Sequence, residues 1–197
     1  MKVNKNIPNI ICWIRIGLIP FVLLFLLDNP LVASVSLSCR ILISGMIFIV
    51  AMLSDIADGQ IARRYNLVSQ FGKFLDPIAD KMLVLSVLAA FIDCGISSVV
   101  PFILILAREF LITGVRLSAA AKGEVIAANI WGKVKTVVQG ILMSAAFVYM
   151  YIYSFAVPGA GFDDFSLVVG ILVWIIAAVT VFSLIPYLKE NGKYLRG

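Results

Sequence analysis

The sequence predicts an all-α integral membrane protein with six transmembrane helices and both termini in the cytoplasm. The chain has 197 residues, of which 62% are apolar and 14% charged. Ordinary soluble domains carry roughly 45–50% apolar and about 25% charged residues, so this composition cannot supply a soluble surface. Because a helix needs about 20 residues to cross a bilayer, six helices with short loops account for one polytopic membrane domain over residues 1–197.

Six apolar stretches, separated by turn signals, define the expected transmembrane helices. The N-terminal stretch continues to Leu27 without a small-residue cleavage site, so we expect a retained first helix rather than a signal peptide. An Asp-Asn-Pro turn at residues 28–30 ends this helix, and a Pro-Gly-Ala-Gly turn at residues 158–161 precedes the last one. The expected spans are 8–27, 38–56, 77–95, 98–117, 134–157 and 166–188.

The basic residues predict which helix ends face the cytoplasm. Lys and Arg collect on the cytoplasmic side of membrane proteins. Here all but one of the 16 cations fit one side, and Arg40 is the only cation near the opposite, acidic loops. Both termini are then cytoplasmic, which agrees with an even number of helices. The net charge of +5 is therefore mostly an orientation signal, and we expect no nucleic-acid partner.

The absence of histidine restricts the chemistry that the chain can perform. It excludes a Ser-His-Asp triad, histidine general bases and histidine-ligated metal sites. Cys12, Cys39 and Cys94 have neither a C-x-x-C spacing nor a metal-site spacing, so we interpret them as packing residues. Carboxylates are the remaining candidates for proton transfer and metal binding.

Four of the 11 acidic residues lie between residues 55 and 80, near the predicted cytoplasmic ends of the second and third helices. Asp55 and Asp58 are three residues apart and Asp76 and Asp80 are four apart, so each pair shares a helix face. If the two helices are neighbours, four carboxylates converge and repel one another. One or two divalent cations would relieve this repulsion, and a set of oxygen ligands favours Mg²⁺ or Mn²⁺ over zinc.

Each acid taken alone has a structural alternative. Asp76 before Pro77 is a typical helix N-cap with a first-turn proline, and Asp58-Gly59 is a common turn pair. The concentration of four acids at a depth where charge is costly favours the metal site instead. The small residues Gly59 and Ala62 would also let a substrate approach the helix backbone.

Residues 55–80 resemble the signature of the CDP-alcohol phosphatidyltransferase family, D-x-x-D-G-x-x-A-R followed after eight residues by G-x-x-x-D-x-x-x-D, and every fixed position is matched. The resemblance implies a six-helix membrane enzyme that forms a homodimer. It implies two divalent ions, Mg²⁺ or Mn²⁺, held by Asp55, Asp58, Asp76 and Asp80 over the diphosphate of a CDP-linked lipid. Asp80 is also the implied general base. The residues implied to line the CDP-lipid site are Asp58, Gly59, Ala62, Arg63 and Gly72.

The chemistry of these residues agrees with that implication. Attack of a hydroxyl group on a diphosphate needs a proton acceptor and charge stabilisation at phosphorus. Two divalent ions about 3.5–4 Å apart can clamp the attacking and the leaving oxygens. In a chain without histidine, a carboxylate is the expected base.

A second group of basic residues is predicted to bind the acceptor alcohol. Arg108 and Arg116 lie eight residues apart and close to one face of the fourth helix, while Lys133 and Lys135 open the fifth helix. Lys133 and Lys135 diverge on a helix, so we expect only one of them to face a substrate. Guanidinium groups bind phosphate well, which points to an acceptor that is itself a phosphate monoester. The alternatives are interfacial anchors and a structural ion pair between Arg108 and Glu109.

The chain from about residue 6 to Gln139 resembles bacterial phosphatidylglycerophosphate synthases, notably at residues 6–9, 107–110, 113–116 and 132–136. Cys12 departs from the threonine that is usual there. The resemblance implies transfer of a phosphatidyl group from CDP-diacylglycerol to sn-glycerol 3-phosphate, at the cytoplasmic face of the bacterial cytoplasmic membrane. Synthesis of cardiolipin, phosphatidylinositol phosphate or phosphatidylserine stays open within the family. A divalent-cation or proton-coupled transporter is the alternative from another class.

Overall fold

The computed structural model describes residues 7–65, 70–121 and 130–191, with the side chains of residues 7–9, 55–77, 80 and 121 left out. Within these ranges the chain is helical and has no strands, which confirms the all-α prediction for the described residues. Two short 3₁₀ turns lie in the loops. The six long helices are α1 (Ile7–Leu26), α2 (Leu37–Tyr65), α3 (Gln70–Asp93), α4 (Val99–Ala121), α5 (Ile130–Ala156) and α6 (Ser166–Asn191).

Hydropathy located the helices but not their ends. The second helix was expected to end at residue 56, whereas α2 continues to Tyr65, and the third was expected to begin at residue 77, whereas α3 begins at Gln70. A helix can continue into the polar region beyond the bilayer core, and hydropathy reports the apolar core rather than the hydrogen-bonded length. Asp58-Gly59 therefore lies inside α2 and Asp76 inside α3. The turn and N-cap alternatives for these two acids are wrong.

Three segments of the described chain are long and apolar enough to cross a membrane, and α1 adds a shorter apolar segment. The helices α3 and α4 interrupt their apolar sequences with ionisable residues, including Lys81 in α3 and Arg108 and Glu109 in α4. Charged residues in membrane helices usually face the protein interior and pair with one another. The three segments are Leu37–Ser54, Ile130–Ala156 and Phe162–Asn191, and the shorter one is Ile10–Leu26.

The helices form a ring of neighbours. Helix α1 packs on α2 and α3, α2 packs on α5, α5 on α6, and α6 on α4, while α3 and α4 close the ring through its least extensive contact. Inside the ring, the buried Phe147 of α5 contacts Phe48 of α2 and Phe91 of α3, with ring centroids 5.4 and 5.8 Å apart. Tight apolar packing in the interior thus fixes how α2, α3 and α5 are placed.

The outer surface of the ring is apolar. Large apolar side chains project from it, and several of them are about two thirds exposed or more. On a soluble protein such a surface would be an unusually large hydrophobic patch, whereas lipid tails accommodate it without cost. This surface agrees with transmembrane helices. Examples are Phe110, Leu117, Phe155, Leu167 and Phe182.

Glycines allow α2 and α5 to approach closely. A Cβ atom added to Gly140 of α5 would overlap the terminal methyl of Met52, and one added to Gly45 of α2 would lie 3.0 Å from the Cβ of Phe147. Small residues commonly permit such contacts between membrane helices. Met52 lies three residues before Asp55, so this contact sets α5 against the part of α2 that carries the predicted metal ligands.

The acid-rich loops gather at one end of the ring. Cys94 Sγ lies 3.8 Å from the Leu26 carbonyl oxygen, and a Cβ atom on Gly95 would lie 3.8 Å from Asp163 Oδ1. Arg40, the one cation predicted at this end, donates to Asp28 Oδ1 at 3.0 Å and to backbone carbonyls at the end of α1. The predicted metal ligands lie toward the other end of α2 and α3.

Candidate active site

The predicted metal ligands lie on two helices that both pack against α1. Asp55 and Asp58 belong to the C-terminal half of α2, and Asp76 and Asp80 to the N-terminal half of α3. Their side chains lie outside the described residues, as do those of the predicted CDP-lipid residues Gly59, Ala62, Arg63 and Gly72. Among the described side chains, no group of three or more acids or cysteines could hold a metal ion. The four-aspartate site therefore stays a prediction, whose donor set fits a hard divalent cation.

The neighbours of Asp80 that the structure describes are held in the core. Ala79 is fully buried against Cys12 of α1, which is 2% exposed, and Ile16 packs beside them. Leu83, one turn after Asp80, is buried in the main apolar cluster. Cys12, which stands where a threonine is usual, is thus a packing residue. Through this contact α1 fixes the part of α3 that carries the predicted base.

A buried arginine lies close to the predicted ligands of α2. Arg15 of α1 is 1% exposed, and its Nε donates to the carbonyl oxygen of Ala51 at 3.2 Å. Ala51 lies one turn before Asp55. Arg15 is one of the cations that the sequence places on the cytoplasmic side. Its burial places a guanidinium group at the α1–α2 contact beside the acidic segment.

Glu109 of α4 is the centre of a buried ion cluster. Its Oε1 accepts hydrogen bonds from Lys135 Nζ of α5 at 2.7 Å and from Arg108 Nη1 at 3.0 Å. Its Oε2 lies 3.6 Å from Lys81 Nζ of α3. The side chains of Arg108, Glu109 and Lys135 are only 7%, 10% and 8% exposed. We call these four residues, Lys81, Arg108, Glu109 and Lys135, the Glu109 cluster.

The Glu109 cluster continues to neighbouring hydroxyl groups. Arg108 Nη2 donates to Ser183 Oγ of α6 at 3.0 Å. Lys81 Nζ donates to Thr113 Oγ1, and that hydroxyl donates to the backbone carbonyl of Glu109 at 2.8 Å. One carboxylate and its partners therefore connect α3, α4, α5 and α6.

Two of the predicted acceptor-binding residues meet in this cluster and two do not. Arg108 and Lys135 share one oxygen of Glu109, so the ion pair between Arg108 and Glu109 that the sequence suggested is present within a larger group. Lys133 is exposed. Arg116 is half-buried about 12 Å further along α4, and its buried Nε has no hydrogen-bond partner among the described residues.

A small cavity of about 10 Å³ borders the Glu109 cluster. This volume corresponds to roughly one water molecule. The described side chains therefore leave no space of substrate size at this point. The cavity is lined by Lys81, Val84, Leu85, Ile105, Glu109, Lys135 and Gln139.

Sequence reasoning missed Lys81 and the central role of Glu109. A usable signal was present, because Glu109 is the only acid in the predicted span 98–117 and charged groups in membrane helices are usually paired. Sequence alone could not identify the partners, since Lys81 and Lys135 reach Glu109 from different helices.

Comparisons with known proteins identify the family of the chain. The family profile for CDP-alcohol phosphatidyltransferase matches residues 5–183. The CDP-diacylglycerol–glycerol-3-phosphate 3-phosphatidyltransferase of Bacillus subtilis is 37% identical over 196 residues, covering 97% of each chain. The enzyme of the same name from Rickettsia bellii is 35% identical over 98% of this chain and 99% of its own. That from Haemophilus influenzae is 32% identical over 93% and 92%. The chain therefore belongs to the CDP-alcohol phosphatidyltransferase family.

Proposed function

We propose that this protein transfers the phosphatidyl group of CDP-diacylglycerol to sn-glycerol 3-phosphate, giving phosphatidylglycerophosphate and CMP. The observation that carries the choice of acceptor is the convergence of three cations at Glu109: the buried Arg108 and Lys135, and the partly exposed Lys81. A cation-rich group of this kind suits an anionic substrate, and an acceptor phosphate supplies such a charge. Relatives that bear this enzyme name and match nearly the whole chain support the same choice.

In this proposal the reaction is a displacement at one phosphorus atom. Asp80 takes the proton of the C1 hydroxyl group of glycerol 3-phosphate. The C1 oxygen forms a bond to the phosphorus that carries diacylglycerol, the bond from that phosphorus to the bridging oxygen breaks, and CMP leaves with the bridging oxygen. Two divalent ions, Mg²⁺ or Mn²⁺, would be held by Asp55, Asp58, Asp76 and Asp80 and would supply charge neutralisation at the diphosphate.

The remaining residues bind the two substrates. Small residues let the CDP group approach the backbones of α2 and α3, and the site comprises Asp58, Gly59, Ala62, Arg63 and Gly72. For the acceptor phosphate we assign Arg108, Arg116 and Lys135. Of the two lysines, Lys135 is the contact, because it is buried beside Arg108 whereas Lys133 is exposed. Lys133 then serves as an interfacial anchor.

We further propose that the chain is a single domain with six transmembrane helices, and that it acts as a homodimer in the bacterial cytoplasmic membrane. The ionisable residues of α3 and α4 would be tolerated within the bilayer because Lys81 and Arg108 pair with Glu109 inside the bundle. The acidic loops at one end and the basic segments at the other orient both termini and the active site to the cytoplasm.

Purified protein in detergent tests the function directly. CDP-diacylglycerol and Mg²⁺ or Mn²⁺ are supplied with labelled glycerol 3-phosphate, serine or inositol phosphate, and the labelled lipid is identified. We expect phosphatidylglycerophosphate alone, and loss of product when the metal is removed with a chelator. If the label appeared in a serine or inositol lipid instead, glycerol 3-phosphate would not be the acceptor. Cation uptake into proteoliposomes in the absence of any CDP-lipid would instead support the transporter.

A further inference from the structure

The contact between α3 and α4 combines limited packing with a concentrated set of polar interactions. It is the least extensive contact of the helix ring, yet Lys81 of α3 meets both Glu109 and Thr113 of α4 there. Lys81 directly follows Asp80, the predicted base. The polar contact therefore joins the helix that carries the base to the helix that carries Arg108.

The other oxygen of Glu109 holds the cations of the proposed acceptor site. Lys135 and Arg108 both donate to Oε1, so two side chains from different helices are brought to one point. Arg108 is also held by Ser183 on its second terminal nitrogen. The two cations thus have defined directions before any acceptor binds, which is the condition under which binding groups act efficiently.

We propose that Glu109 is a positioning residue, which holds Lys135 and Arg108 for the acceptor phosphate and ties them through Lys81 to the helix that carries Asp80. This inference rests on the proposed function and deepens it, since it assigns a role to the carboxylate that the described residues place in the acceptor site. Glu109 itself does not touch the substrate.

We expect loss of the Glu109 charge to weaken binding of the acceptor, and the properties of Lys135 give the reason. Lys135 lies in the second turn of α5, near the end of the helix that the basic residues place in the cytoplasm. A lysine whose contact with a buried carboxylate is lost can extend its long stem so that its ammonium group reaches the membrane surface. Loss of the carboxylate charge therefore moves the cation away from the acceptor site, although the net positive charge of the region rises.

Steady-state kinetics of the purified full-length protein test this role, with each substrate varied while the other is saturating. We expect Glu109→Gln to raise the KM for glycerol 3-phosphate at least about tenfold while the KM for CDP-diacylglycerol stays within about twofold. A raised KM for one substrate only reports lost binding at that site. Glu109→Asp keeps the charge and shortens the side chain by one methylene, so it should restore part of the acceptor affinity.

The Arg40–Asp28 pair provides a matched control. It has the same 3.0 Å arginine–carboxylate distance but lies away from the Glu109 cluster, at the end of the bundle where the acid-rich loops gather. Asp28→Asn should leave both KM values unchanged. If Glu109→Gln does not fold, Glu109→Asp alone decides the question, because a positioning role still predicts a selective rise in the acceptor KM.

Three results would overturn the inference: unchanged KM values in the folded Glu109 variants, equal changes in both KM values, or a lower KM for glycerol 3-phosphate. The last would mean that Glu109 competes with the acceptor phosphate. Failure of the proposed function is distinguishable, because wild-type protein would then make no phosphatidylglycerophosphate. In that case the same variants are measured against whichever acceptor the wild-type protein uses, with the same expected selectivity.

Discussion

Two regions of the helix bundle contain the same ionic contact in different settings. At the end with the acid-rich loops, Arg40 and Asp28 lie 3.0 Å apart, and the side chain of Asp28 is 83% exposed. The other two nitrogen atoms of the Arg40 guanidinium group donate to backbone carbonyl oxygens. Midway along α4, Arg108 and Glu109 also lie 3.0 Å apart, but Glu109 is buried and shared with Lys135 and Lys81. An arginine paired with an exposed carboxylate fastens a turn, whereas a buried carboxylate shared by three cations can arrange a binding site.

The first prediction is that transfer depends on Asp80, toward one end of the bundle, and not on Asp28 at the other end. Asp80→Asn should lower the rate of CMP release by roughly 10²–10⁴-fold, the usual contribution of a general base. The same measurement on Asp28→Asn should give a rate close to that of wild type. A thermal melt in detergent checks that both variants are folded, and near-normal transfer by folded Asp80→Asn would remove Asp80 from the mechanism.

The second prediction compares stabilities. Glu109→Ala removes the shared partner of buried cations, and breaking a buried ion pair in this way costs about 3–5 kcal/mol. Asp28→Ala removes an exposed carboxylate, and the buried Arg40 keeps its hydrogen bonds to the carbonyl oxygens of Phe25 and Leu27, so we expect a loss of about 1 kcal/mol or less. Thermal unfolding in the same detergent should therefore show a far larger loss of Tm for Glu109→Ala. Equal losses of Tm would mean that the buried Glu109 carboxylate stabilises the fold no more than the exposed Asp28 carboxylate does.

The third prediction separates the two lysines of α5. Lys135→Met should raise the KM for glycerol 3-phosphate about tenfold to a hundredfold, since a hydrogen bond to a charged group contributes about 1.5–3 kcal/mol. Lys133→Met removes the same charge at an exposed position and should change this KM less than threefold. The two variants are matched in composition, so a larger effect at Lys133 would reverse the assignment of the acceptor contact.

The smallest expected effect concerns the contact that positions α2 against α5. Gly140→Ala forces Met52 to move, but only the flexible end of that side chain is in the way. We expect a loss of about 1 kcal/mol or less in stability, typical of a small overpacking that a side chain can absorb, and activity within about threefold of wild type. Gly45→Ala meets the stiffer Phe147 and should lower the Tm further. The reverse order would show that the Met52 contact is the tighter one.

The helices could be predicted because hydropathy and helix periodicity are local properties of the chain. Their ends could not, as Tyr65 and Gln70 show, because a helix continues where polar residues replace apolar ones. That extension placed Asp58 and Asp76 inside helices and removed their interpretation as turn or cap residues. The spacing of the acidic signature predicted the family, which the comparisons confirm, while the geometry of its side chains stays a prediction.

By itself, the sequence determined an apolar all-α chain, four aspartates grouped on two helices, and membership of one enzyme family, because composition and fixed spacing carry this information along the chain. Only the tertiary structure decided that Lys135 is buried while Lys133 is exposed, and that Glu109 joins Lys81, Arg108 and Lys135. The physical reason is that these contacts cross between helices. They depend on how each helix is rotated and packed against its neighbours, which local periodicity does not specify.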